Sequence, residues 1–134
     1  MLRFVMFFVV SLFLSPSFLI AAESADAKVM RAIFTPGVKD FEPMGSSNYF
    51  YTTCAQLYFF TELYGFKGQV LKHRWFYNDK MVSEVKVTVR SHLWRASTKK
   101  SLPKSWVGDW RAEVVNAAGV VLASKHFEYR NLPY

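Results

Sequence analysis

A chain of 134 residues, 51% apolar and 18% aromatic, is long enough for one hydrophobic core, too short for two, and too apolar to be disordered. Its formal net charge of +7 favours anionic partners without choosing among lipid, glycan and nucleic acid. The single cysteine, Cys54, excludes an internal disulfide.

The chain opens with Arg3, an apolar run over residues 4–14 broken only by Ser11, then Ser15, Pro16 and Ser17, and finally Ala21 and Ala22. That order of charge, apolar core and small residues predicts a secretory signal peptide over 1–22, cleaved after Ala22 or, as second choice, after Ala27. Loss of Arg3 with the leader leaves a net charge of about +6, which is still basic. The rival is an uncleaved anchor over 2–22, which Pro16 and the serines disfavour. The expected organisation is signal peptide 1–22, short linker 23–27 and one domain over 28–134, exported to the periplasm or cell envelope. Contact with a membrane is expected only through an uncleaved leader.

From residue 28 on, no apolar stripe of helical period stands out. Short runs at 29–35, 55–62, 69–77, 82–90, 93–97, 110–115 and 120–129 are separated by Gly, Pro, Asn and Asp. About seven strands with such punctuation predict an all-β antiparallel sandwich of immunoglobulin-like type. Cys54 beside the apolar Leu57, Tyr58, Phe59 and Phe60 is expected to be buried. The segment 36–48 reads as a long irregular connection.

The run 69–77 puts Leu71, His73, Trp75 and Tyr77 on one face, and the next run puts Val85, Val87 and Val89 on one face. Both apolar faces coincide if His73 pairs with Val85 and Leu71 with Val87, which also sets Arg74 opposite Glu84. A three-residue loop of Asn78, Asp79 and Lys80 gives that register. For the last hairpin, a four-residue loop over 116–119 turns Val121, Ala123 and Phe127 inward, whereas a three-residue loop with a bulge turns Val120, Leu122 and His126 inward. The pattern leaves both open.

The ordered set Tyr58, Phe59, Phe60, Thr61, Glu62, Leu63 with Gly65 and Gly68, then His73, Arg74, Trp75 and Tyr77, resembles a bacterial family, the domain of unknown function numbered 2914. Trp94, Arg95, Ser97 and Lys99, then Gly108, Trp110, Gly119 and Leu122, and the final Phe127, Glu128 and Tyr129 continue the likeness, which covers the chain from Lys28 onward. Asn116 departs from it, where an acidic turn residue is expected. The resemblance implies a compact, immunoglobulin-like sandwich and no activity.

His73, Arg74, Trp75 and Glu84 are structural or functional candidates, with a core tryptophan as the leading reading of Trp75. His73, His92 and His126 fall on different strands without a His-x-His pair, so no metal is expected, and no cofactor. No Gly-x-Ser-x-Gly elbow exists, and no catalytic residue is assigned. Between Glu84 and Asp109 the chain has no acidic residue but carries cations and indoles. Arg90, Trp94, Arg95, Lys99, Lys100 and Lys104 form the candidate ligand-binding set, with Lys99, Lys100 and Lys104 expected on an exposed turn near Pro103. The function expected is a non-catalytic envelope binding module for an anionic glycan, phosphate or lipid headgroup. The alternatives are a protein–protein interaction domain that pairs through a strand edge with another envelope protein, and a small periplasmic hydrolase using His73. No nucleic-acid partner is expected.

Overall fold

The computed structural model describes residues 26–134; the predicted leader lies outside the described residues. Ten strands follow in chain order: β1 (Lys28–Thr35), β2 (Val38–Lys39), β3 (Glu42–Pro43), β4 (Tyr49–Tyr51), β5 (Gln56–Tyr64), β6 (Val70–Tyr77), β7 (Lys80–Thr88), β8 (Leu93–Ser101), β9 (Gly108–Val115) and β10 (Val121–Arg130). They build a three-stranded sheet of order β1-β5-β8, a five-stranded sheet of order β4-β10-β9-β6-β7, and the small hairpin β2-β3. The seven long strands are the seven expected ones. Pairing is antiparallel except between β4 and β10.

The two large sheets pack face to face, and alternation along each strand supplies the core. Phe34 and Phe59 from the small sheet meet Trp75 and Phe127 from the large one, with ring centroids 4.6–6.2 Å apart. Trp106 stacks on Tyr77 at 5.0 Å, and Trp110 on Phe127 at 5.7 Å. Such aromatic pairs add to the burial of large apolar area that holds a sandwich closed. β5 departs from alternation because both its faces are covered. Phe60 and Glu62, on its outer face, are almost as buried as Leu57 and Phe59 on its inner face. The β2-β3 hairpin lies against that outer face.

The β6-β7 register is as expected over most of its length: Leu71 with Val87, His73 with Val85, Arg74 with Glu84. The loop is not. Tyr77 pairs with Lys80, so the turn has two residues, Asn78 and Asp79, both at positive φ (46° and 63°). That is the tight primed turn that suits strand twist. A bulge restores the register: Trp75 faces Ser83 and Phe76 faces Met81, leaving Val82 as the extra residue. Val85 points along the expected face but is 38% exposed, because β7 is an edge strand and the opposing sheet does not reach it.

In the last hairpin, Val121 pairs with Val115 and Ala123 with Val114, so Leu122 is a bulge residue. Phe127 then faces Trp110 and is buried, while His126 is exposed. Tyr129 is buried too, and its hydroxyl donates to the Cys54 carbonyl at 2.8 Å. Cys54 is half-buried rather than sealed, and burial raises its thiol pKa, so it stays protonated at neutral pH.

The segment 36–48, expected to be irregular, holds the β2-β3 hairpin. Its turn residues Asp40 and Phe41 have φ of 51° and 59°. Aspartate tolerates this left-handed region; a phenylalanine there is strained. Phe41 is also 74% exposed, so its ring recovers little by burial. Phe41→Gly is therefore expected to raise stability by about 0.5–1 kcal/mol. A urea midpoint that falls instead would mean that the ring makes a contact worth more than the strain.

Candidate functional site

His73, Arg74 and Trp75 sit on β6, and alternation separates them as the sequence implies. Trp75 and His73 are sealed at 0% exposure; Arg74 points outward to Glu84, with Nε donating at 2.8 Å. The inward pair forms a polar pin between the sheets. Trp75 Nε1–H donates to Thr98 Oγ1 on β8 at 3.1 Å, and that oxygen lies 3.0 Å from His73 Nδ1. On the other side, His73 Nε2 lies 3.0 Å from Thr61 Oγ1 on β5, and Thr61 donates its own hydroxyl proton to the Ala96 carbonyl at 3.2 Å.

The proton order follows from this wiring. Thr61 has given its proton to Ala96, so it accepts from His73, which must carry hydrogen on Nε2. Nδ1 is then the acceptor for the Thr98 hydroxyl, whose lone pair takes the indole N–H. Only neutral histidine satisfies every group, and burial pushes its pKa down to about 3. His73 is sealed from solvent, and among the described residues its ring nitrogens meet the Thr61 and Thr98 hydroxyls rather than a carboxylate.

The six cationic and indole candidates do not converge. Trp94 is half-buried and packs against the core. Arg95 points the other way, to the outer face of the small sheet, where it meets carboxylates absent from its own stretch of sequence. Register aligns Arg31 on β1, Glu62 on β5 and Arg95 on β8. Arg31 donates to Glu62 at 2.6 Å and Arg95 Nε donates to it at 3.0 Å. Glu42 from the β2-β3 hairpin bridges the same two arginines at 3.0 and 3.2 Å. Hydrogen bonding from Arg31, ahead of other influences, holds both carboxyls below their ordinary pKa. The guanidinium of Arg31 also lies 5.0 Å from the centre of the Phe60 ring. The network ties the hairpin to the sheet.

Lys99 and Lys100 are not on a turn. β8 continues through Ser101, and strand alternation sends these two lysines to opposite faces. The physical reason is pairing: Lys99 lies opposite Tyr58 and Lys100 opposite Leu57 on the long central strand β5. Lys104 is exposed on the β8-β9 connection as expected. Arg90 is exposed at the opposite end of the fold, between β7 and β8.

Among the described residues, every arginine except Arg90 lies within ion-pair distance of a carboxylate, whereas Lys72 is the lysine that does so, at 3.5 Å from Glu84. Among the described residues, the lysines other than Lys72, together with Arg90, are thus the cations left for another partner. A polar depression of about 360 Å³ lined by Asn78, Asp79, Asp109, Arg111 and His126 offers no free arginine. Arg111 is held by Asp79 at 2.6 Å and lies 4.1 Å from the centre of the Phe76 ring. No group of three metal-ligating side chains occurs among the described residues.

The geometry defines an all-β, two-sheet domain with a structural histidine pin and exposed, uncommitted cations. Residues 68–129, which run from just before β6 almost to the end of β10, match the family described as protein of unknown function (DUF2914). No curated protein matches the chain. A solved structure of similar fold is the Pseudomonas fluorescens alkylpurine DNA glycosylase AlkC bound to DNA containing an abasic site analog, with a TM-score of 0.50 and 12% identity. The match covers 80% of this chain and 31% of that one, so this chain spans under a third of that protein. At this identity the likeness is one of fold.

Proposed function

We propose that the chain is an exported, non-catalytic binding module of the cell envelope that holds anionic material through its unpaired cations. The two-sheet arrangement with Trp75 sealed inside it fits an immunoglobulin-like sandwich, and the leader over 1–22 fits delivery to the periplasm. The observation that carries the reading is the division among the cations: among the described residues the arginines other than Arg90 are tied to carboxylates, whereas most of the lysines other than Lys72, with Arg90, are exposed without one. Exposed lysines separated along the surface suit a polyanion held by a summed field better than one small anion held in a pocket.

Such attraction is screened, since the Debye length shrinks from about 10 Å at 0.1 M salt to about 3 Å at 1 M. The folded domain is therefore expected to be retained on an anionic polysaccharide matrix at low salt and released as salt rises. Retention that is indifferent to salt would sink the electrostatic reading. A pull-down from solubilised envelope, eluted by salt, then identifies the natural material.

A second reading has one observation in its favour. Among the described residues β7 pairs only with β6, and it exposes Met81 and Val85 beside that open edge. A partner's strand could add there. The Val82 bulge and the flanking Lys80 and Lys86 are the usual defences of such an edge, which keeps this reading second.

A further inference from the structure

One end of the sandwich combines charge, apolar exposure and the start of the described chain. Lys28 lies opposite Tyr64, and Tyr64 opposite Leu93, across the small sheet. Backbone bonds from Gly65 to His92, from Gly68 to Val89 and from Val89 to Gln69, all 2.9 Å, bind the β5-β6 and β7-β8 connections together there. They bring Lys67 and Arg90, both exposed and without an ion pair among the described residues, to the same end. The β9-β10 turn reaches this end too, because Val115 pairs with Lys72 near the start of β6. Segments 26–28, 65–69, 89–93 and 116–120 form the end and contain a single carboxylate, Asp26. Leu93 and Val120 are about half exposed around it.

Cations beside protruding aliphatic side chains suit a surface that is anionic outside and apolar just beneath. The described chain also begins at this end, and the apolar run at 4–14 precedes it in the sequence. A leader in the bilayer, before cleavage or in place of it, would hold this end toward the lipid. Resting on the anion-binding reading, we propose that this end, with Lys28, Lys67 and Arg90 as its cations and Leu93 and Val120 as its apolar contacts, docks the domain on an anionic phospholipid membrane.

The test is co-sedimentation of residues 23–134, which contain the whole two-sheet core, with vesicles of phosphatidylglycerol and phosphatidylcholine. Each cation near an anionic surface is worth about a five-fold gain in binding, so K67E/R90E is expected to lose at least about 25-fold. K99E/K100E, of equal charge change but away from this end, should lose far less, and L93S/V120S should weaken binding while circular dichroism stays unchanged. Equal losses from the two charge reversals would reduce the effect to net charge and overturn the proposal, as would a loss confined to K99E/K100E. Retention on dextran sulfate without vesicle binding overturns the membrane proposal and leaves the wider reading standing; binding to neither ends both. Tighter binding to a duplex oligonucleotide than to the vesicles also overturns it.

Discussion

Trp75→Ala is expected to cost the domain roughly 3–5 kcal/mol, the range for deleting a large buried aromatic and leaving a cavity. The indole is fully buried between Phe34 and Phe59 of the opposite sheet. Its removal also strips Thr98 of the N–H that occupies its lone pair. A domain of this size has about 5–15 kcal/mol in all, so the variant should stand near the threshold of folding. Trp75→Phe narrows the comparison: it keeps much of the apolar volume while losing the N–H and the remainder of the indole, and should cost clearly less. Urea unfolding of both variants checks this. A loss below about 1 kcal/mol for the alanine variant would place Trp75 outside the core.

Acid should destabilise the domain earlier than its carboxylates alone would allow. His73 has a folded pKa of about 3 against an ordinary value of 6.5. Above pH 6.5 neither the folded nor the unfolded chain carries this proton, and the group has no effect. As pH falls below 6.5, the unfolded chain binds the proton and the folded one refuses it. Stability is therefore lost at up to about 1.4 kcal/mol per pH unit until the folded pKa is reached. Glu62 behaves in its own window: its carboxyl is held low chiefly by the Arg31 hydrogen bond, so it contributes above its ordinary 4.5 and loses that contribution as pH falls further. The span from pH 6.5 to 4.5 thus isolates the histidine. Urea midpoints across it should slope downward with acid, and His73→Gln should remove the slope. A flat profile in the parent domain would contradict the neutral, sealed imidazole.

The strands were legible because their apolar positions alternate, and the β6-β7 register followed because only one pairing brings two apolar faces together. The turn length was not legible: a two-residue turn with a bulge and a three-residue loop give the same register beyond Trp75, and Val82 carries no mark of its role. β2 and β3 were hidden because Asp40 and Phe41 are an uncommon pair for a primed turn. β4 is too short to show a period.

The candidate site was least legible, for a reason that lies in Glu62 and Glu42. A stretch without acids in the sequence is not a stretch without acids in space. Sheet pairing brings Glu62 beside Arg95 from 33 residues away, and the small hairpin adds Glu42. The strong signal at His73, Arg74 and Trp75 was one of architecture, as the inward pair and the outward arginine show.

The parallel pairing of β4 with β10 sets an order of events for a chain threaded N-terminus first. Tyr49 lies opposite Glu128, and Tyr51 opposite Arg130. β4 therefore has no sheet to join until the last three residues of β10 arrive, and the Tyr129 hydroxyl that fastens Cys54 arrives with them. Until β10 arrives, β9 also has an open side. During synthesis the domain stays unclosed until β10 has emerged, and loss of residues 128–130 would take away the partner of β4 while the rest of β10 still pairs with β9.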